Sequence, residues 1–188
     1  MSEAQAQHQV AIEITPNPAT LKFKFNFQVT DDGFECLSSK ETDRSPLAAK
    51  IFGFPWTASV YIGSDFITVT KQDWVEWSYL AEPLAGLIKE HLENGEAVAL
   101  AAITPMIDSD ADDTPIVRQI KSVINLEIRP VVALDGGDIV FNKYEDNIVY
   151  LQMKGACAGC PSSTATLKEG IEVRLKEAIP EIREVVSI

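Results

Sequence analysis

Alternating apolar and polar positions predict strands in the first half of the chain. Residues 10–14 and 21–27 have the period of two that is typical of strands with one apolar face, and two prolines between them indicate a turn. Residues 58–62 and 66–70 predict a hairpin, because a Gly-Ser-Asp turn separates two short apolar runs.

Helical periodicity appears twice in this half. Ser45-Pro46 predicts the start of a short helix that runs through Phe52, since serine caps helices and proline suits their first position. Residues 77–92 place leucine and isoleucine on one face, and Asn94-Gly95 supplies a typical helix end. Pro83 interrupts this pattern, so we interpret it as the true start of the longer helix.

The second half of the chain also contains both helical and strand patterns, but it begins with a helix. Thr114-Pro115 predicts a helix start, and Arg129-Pro130 predicts the end of the same helix. Beyond it the pattern indicates a hairpin over residues 138–143 and 148–153, followed by a loop. A helix with Leu167, Ile171 and Leu175 on one face comes next, and residues 182–188 form a closing strand.

An acidic stretch separates the two halves. Residues 104–114 carry four aspartates and little that a core would bury, which is the composition of an exposed linker. The sequence therefore predicts an α+β fold of two small α/β-type domains, residues 1–103 and 115–188. The second is small enough that a shared ligand or partner would help to stabilise it.

Charge and hydropathy limit the partners. The chain has 28 acidic and 16 basic residues, a net charge of -12, and no basic run, so we expect no nucleic-acid ligand. No apolar run is long enough to span a membrane, and the first residues lack the features of a secretory signal or a transit peptide. We expect a cytoplasmic protein, or an organelle-matrix protein if a transit peptide has been removed.

The candidate chemistry lies in a pair of cysteines. Cys157 and Cys160 form a C-x-x-C pair in a loop of small residues, and Pro161 is placed to begin the next helix. Backbone N–H groups and the dipole at a helix start favour a thiolate, the form of cysteine that binds metal. Cys36, far upstream in a polar stretch, is interpreted as an incidental thiol.

Two thiolates make only half of a metal site. Structural zinc and the common iron–sulfur clusters both take four ligands, and neither His8 nor His91 has ligand-like spacing to the pair. Two chains that each contribute Cys157 and Cys160 would complete the set. From the residues alone, an iron–sulfur site, a Cys₄ zinc dimer and a thiol–disulfide oxidoreductase remain open.

The segment GACAGCPSSTATLKEGIE, preceded by RPVVALDGGDIVF, resembles the NifU-like domain of the Nfu iron–sulfur carrier proteins. TPNPATLKF, the helix containing SPLA, and FITVTKQDWVEW are similar to the Nfu N-terminal domain. The resemblance thus covers both predicted domains, in the family's order.

This resemblance implies a scaffold or carrier rather than an enzyme. It implies that Cys157 and Cys160 bind an iron–sulfur cluster, commonly [4Fe–4S], between the two subunits of a homodimer. The implied partners are upstream assembly proteins and the apo-proteins that receive the cluster. Gly136-Gly137 is interpreted as a turn, and Asp135 and Asp138 as groups that cap it, without a catalytic role.

Overall fold

The computed structural model describes residues 9–101, 113–158 and 161–188. The chain divides into two units, Met1–Ala101 and Ala102–Ile188, each with a hydrophobic core of its own. The mixture of helices and sheets in both units confirms the α+β class. All but the last two residues of the predicted linker lie outside the described residues, so the domain bounds 1–103, 104–114 and 115–188 stay predictions.

The first unit is a five-stranded antiparallel sheet with helices. Its strands are β1 (Val10–Ile14), β2 (Thr20–Phe25), β3 (Phe34–Cys36), β4 (Thr57–Ile62) and β5 (Phe66–Lys71). They lie in the order β1-β2-β5-β4-β3, so the predicted hairpin of β4 and β5 is confirmed. The helices are α1 (Pro46–Ile51) and α2 (Trp77–Glu93), and a 3₁₀ turn covers Ser39–Glu41.

Capping at Ser45 explains where α1 begins. The Ser45 hydroxyl accepts a hydrogen bond from the Ala48 N–H at 3.0 Å and donates one to the Val98 carbonyl at 2.7 Å. Because Ser45 is buried, both bonds replace contacts with water that the hydroxyl would otherwise make. The cap therefore also holds the chain that follows α2 against α1.

The helix α2 runs through Pro83, so the interpretation of this residue as a helix start was wrong. Pro83 has no N–H to donate to the Tyr79 carbonyl, but Pro83 and Tyr79 are both exposed residues of α2, where water can replace the missing donor. The predicted end is confirmed, since Asn94 caps α2 and Gly95 follows with a φ of 71°.

Cys36 occupies a different environment from the polar loop that the sequence suggested. It lies on β3 and pairs with Val60 of β4, and its side chain is fully buried in the core. Its thiol donates to the Glu41 carbonyl at 3.2 Å, and burial raises its pKa to about 11. A strand of three residues is too short to show a period in the sequence.

The second unit places helices on a three-stranded sheet. Its helices are α3 (Pro115–Val123), α4 (Arg129–Leu134) and α5 (Pro161–Ala178), and its strands are β6 (Gly137–Glu145), β7 (Ile148–Gly155) and β8 (Glu184–Ser187). In the sheet order β6-β7-β8, β6 and β7 pair antiparallel while β7 and β8 pair parallel. The predicted hairpin of β6 and β7 is confirmed, and Asp146 and Asn147 in its tight turn both have positive φ.

The predicted helix end at Arg129-Pro130 was wrong. A π-helical turn over Ile124–Ile128 joins α3 directly to α4, and the chain stays helical as far as Leu134. A proline ring clashes with the carbonyl four residues earlier in a regular helix, and the wider π turn relieves that clash. One apolar side chain per turn still reaches the core: Ile120, Ile124, Ile128 and Val132.

Among the described residues, no helix combines the length and the apolar composition that crossing a bilayer requires.

Candidate functional site

The loop that follows β7 carries Cys157. It is attached to the turn after α4, because the Ala156 N–H donates to the Gly136 carbonyl at 3.1 Å. Within the loop, the Ala158 N–H donates to the Gly155 carbonyl at 3.0 Å, and Gly155 itself has a φ of 63°. The cysteine is therefore held between the end of β7 and the start of α5.

Gly137 lies directly beside the Cys157 side chain. A Cβ atom at Gly137 would come within 2.3 Å of the Cys157 Sγ and 2.9 Å of the Lys154 carbonyl oxygen. The sequence predicted a turn at both glycines, and this holds for Gly136, which has a φ of 80°. Gly137 is instead the first residue of β6, paired with Gly155, and the space that it leaves is taken by the thiol.

The Cys157 thiol is in an apolar environment. Its residue is only 5% exposed and belongs to the core of the second unit. Burial raises the pKa of the thiol to about 12, and the negative charges of Asp135 and Asp138 add to the effect. In this conformation the thiol is neutral at physiological pH, and a bound metal ion would have to replace its proton.

Cys160 and the helix-start argument that concerned it lie outside the described residues. The predicted helix start at Pro161 is confirmed by α5. Within the described residues, no group of three or more histidines, cysteines and carboxylates is close enough together to hold a metal ion. Cys36 belongs to the first unit, as does His91, which is buried with its Nε2 atom 3.0 Å from the Ala97 carbonyl oxygen.

Asp138 has a partner that sequence reasoning missed. Its two carboxylate oxygens each accept a hydrogen bond of 2.7 Å from the Arg129 guanidinium, and Oδ1 also accepts from the Ile139 N–H at 2.8 Å. The bidentate ion pair joins the start of α4 to the start of β6. Asp138 thus has a structural role beyond capping a turn.

The Cys157 sulfur is a suitable ligand for a soft metal, but its burial opposes metal binding. A cysteine sulfur is a ligand for zinc and for iron–sulfur clusters. However, the described position of the Cys157 side chain leaves almost no sulfur surface for a cluster. Cluster binding by Cys157 would therefore require its side chain to turn out of the core.

The raised pKa leads to a prediction for protein without metal. At pH 8, a thiol with a pKa of 12 has a thiolate fraction about a thousandfold lower than a thiol with a pKa of 9, so native Cys157 should react slowly with iodoacetamide. The rate should increase as the pH rises from 8 to 10, and unfolding should abolish the protection. Mass spectrometry of the alkylated peptides measures this, and rapid native alkylation at pH 8 would contradict the buried position.

The raised pKa of Cys157 also makes the stability of the folded protein depend on pH. Because the folded pKa of about 12 exceeds the unfolded value of 9.0, folding favours the neutral thiol. Its contribution to the free energy of unfolding is complete below pH 9 and is lost as the pH rises towards 12.

Comparison with known families identifies both units. The second unit contains a NifU-like domain, since the family model of that description matches residues 120–186. The model described as the N-terminal part of the scaffold protein Nfu/NifU matches residues 10–95. The chain belongs to the Nfu/NifU family and carries both of its domains in that order.

Individual relatives agree with the family. Proteins of Drosophila ananassae and Drosophila persimilis, both named "NFU1 iron-sulfur cluster scaffold homolog, mitochondrial", are each 38% identical to this chain over 178 residues, or 93% of it. The chain spans 62% and 63% of the lengths of these two relatives. A solution structure of a NifU-like protein from Saccharomyces cerevisiae is similar with a TM-score of 0.46 and 25% identity, over 54% of this chain and 92% of that one.

Proposed function

We propose that this protein is an iron–sulfur cluster scaffold or carrier that holds a [4Fe–4S] cluster between two chains and passes it to apo-proteins. Cys157 and Cys160 of each chain would bind the cluster. The observation that carries the proposal is the position of Cys157 in the small-residue loop between β7 and α5, in a NifU-like domain. The names of the relatives, which call those proteins iron–sulfur cluster scaffolds, support it.

The cluster is cargo in this proposal, and two chains are needed to hold it. A [4Fe–4S] cluster is usually bound by four thiolates, whereas each chain offers one pair of neighbouring cysteines. Taking up the cluster turns the Cys157 side chain out of the core and exchanges its thiol proton for an iron–sulfur bond. Each loading event therefore releases protons to the solvent.

Delivery is a ligand exchange without change of oxidation state. An Fe–S bond to Cys157 breaks as an Fe–S bond to a recipient cysteine forms, and the proton leaving the recipient thiol passes to the released Cys157 thiolate. The high pKa of Cys157 in its buried position favours this direction, because the released sulfur is most stable when protonated and buried again.

The high pKa argues against the alternative of a thiol–disulfide oxidoreductase. Such enzymes attack with a thiolate, and in their C-x-x-C motifs the nucleophile has a lowered pKa. Burial and two nearby carboxylates raise the pKa of Cys157 instead. A non-catalytic role is therefore part of the proposal. The zinc alternative is separated by visible charge-transfer absorption, which an iron–sulfur cluster shows and zinc does not.

The decisive experiment mixes two forms of the full chain. Wild-type protein and the Cys157→Ala/Cys160→Ala variant, with distinguishable tags, are reconstituted together under anaerobic conditions with iron and sulfide. Wild-type homodimers should contain one cluster, and no cluster-bearing heterodimer should form, because only two thiolates would remain. Since the ligand binds only the associated state, loss of the cluster should also favour monomers.

Native mass spectrometry counts clusters per dimer, and Mössbauer spectroscopy identifies the cluster type. A heterodimer with a full cluster, or a holo-protein that is monomeric, would contradict the shared site.

The proposed partners follow from the same role. They are upstream assembly proteins, apo-protein recipients and a second copy of this chain, with no nucleic acid or membrane among them. The word "mitochondrial" in the names of the relatives makes an organelle matrix the proposed location, and the cytoplasmic alternative stays a prediction.

A further inference from the structure

The segment that precedes and opens α2 exposes two large aromatic side chains. Trp74 is 66% exposed and Tyr79 is 78% exposed. In contrast, Val75, Trp77 and Leu80 pack against the core of the first unit. The segment thus buries one side and presents two rings to solvent. Exposed tryptophan and tyrosine are the residue types most enriched in binding surfaces.

A third ring belongs to the same part of the unit. Phe54 is 38% exposed and stacks on Trp56 with a centroid distance of 5.3 Å, and Trp56 in turn meets the edge of Trp77 at 6.2 Å. The Gln72 N–H donates to the Trp56 carbonyl at 2.7 Å. These contacts attach the loop that carries Phe54 to the segment that carries Trp74.

The charged residues of the two segments that carry these rings have a single sign. Asp73, Glu76 and Glu82 are all exposed, and residues 72–88 contain no lysine, arginine or histidine. The loop over residues 53–57 carries no charge at all. All charged groups that these two segments offer to a partner are therefore carboxylates. A cationic partner is complementary to them.

We define the aromatic–acidic surface of the first unit as Phe54, Asp73, Trp74, Glu76, Tyr79 and Glu82. We propose that it binds a segment of another protein in which lysine or arginine lies beside aliphatic residues. The aliphatic groups pack on the rings, and the cations lie near the carboxylates and over ring faces. The net charge of -12 draws such a segment towards the chain.

This inference is independent of the cysteine chemistry. The surface lies entirely in the first unit, whereas Cys157 lies in the second. A failure of cluster loading would leave the binding of a cationic segment intact. Conversely, loss of this binding would leave the cluster content of reconstituted protein unchanged.

The test uses the full chain and a short, blocked peptide of lysine, leucine and glycine. Binding is followed by ¹⁵N–¹H NMR of the indole N–H groups of the three tryptophans, with the signal of Trp74 assigned by its loss in Trp74→Phe. The Trp74 signal should shift saturably with the lysine peptide. Replacing lysine by glutamate, or leucine by serine, in the peptide should abolish the shift.

Variants then locate the site. In Trp74→Ala, which lacks the indole probe, binding is followed by the backbone amide signals of residues 72–80 and should weaken about tenfold, as loss of a central aromatic contact does. The exposed pair Glu76→Gln/Glu82→Gln should weaken it about threefold or more and reduce its salt dependence. As a control, Asp31→Asn/Asp32→Asn removes the same charge from another exposed loop and should leave the affinity unchanged.

Three results would overturn the proposal. The first is wild-type affinity in Trp74→Ala, and the second is equal binding of the glutamate peptide. The third is a Trp74 signal that changes with protein concentration alone, which would show that a second copy of the chain covers the surface.

Discussion

Cys157→Ala and Cys160→Ala should each reduce the iron bound after anaerobic reconstitution to the background level of untreated protein, while Cys36→Ala retains the wild-type amount. In the proposed shared site each chain supplies two of the four thiolates, so one substitution removes two of the four ligands at once. The remaining ligands cannot hold the cluster during gel filtration.

Cys36→Ala is a matched control because both Cys36 and Cys157 are buried core thiols with a raised pKa. The two substitutions remove the same atom from similar surroundings, so their effects on packing should be similar. Iron and sulfide analysis, with hydrogen exchange to show that each variant is folded, measures the difference. Equal iron content in Cys157→Ala and the wild type would remove Cys157 from the ligand set.

Gly137→Ala should destabilise the second unit by about 1–3 kcal/mol, because the new methyl group would overlap two neighbouring atoms. One of these is the backbone oxygen of Lys154, at 2.9 Å, and another is the Cys157 Sγ, at 2.3 Å. The thiol would be forced out of its place in the core, so the variant should also lose the slow alkylation expected of native Cys157.

Gly170→Ala is the control for this substitution. Gly170 lies on α5 of the same unit, and a Cβ there meets no atom within 4 Å. Replacing a helical glycine with alanine should therefore stabilise the unit by about 0.4–1 kcal/mol. Native-state hydrogen exchange of the Val149 and Leu151 amides reports on the unit, and wild-type protection in Gly137→Ala would show that the close approach is absent in solution.

Local signals in the sequence predicted most of the elements. Caps at Ser45 and Thr114 mark helix starts that the structure confirms, since a hydroxyl and a following proline act within one turn of chain. The two prolines at 83 and 130 were misjudged for a common reason. Whether a proline ends a helix depends on solvent access or on a π turn, neither of which is visible in local sequence.

The candidate site likewise combines features that are visible in local sequence with contacts that only folding creates. The C-x-x-C spacing and the start of α5 are local features, and they suggested metal-binding chemistry directly. The space that Gly137 leaves for Cys157 and the pairing of Arg129 with Asp138 arise from chain segments brought together by folding. A glycine pair in sequence indicates a turn but cannot indicate which distant side chain will fill the space beside it.

The parallel pairing of β8 with β7 has a consequence for the order of folding. The cysteine loop and all of α5 lie in the crossover between these two strands, so their pairing closes a long loop of chain. Contacts that close long loops pay a large entropic cost and form late. During synthesis, β6 and β7 can pair as soon as they emerge. The crossover that contains the Cys157 loop and α5 is closed only when β8 has been made and pairs with β7. A nascent chain should therefore be unable to hold a cluster until this strand is in place.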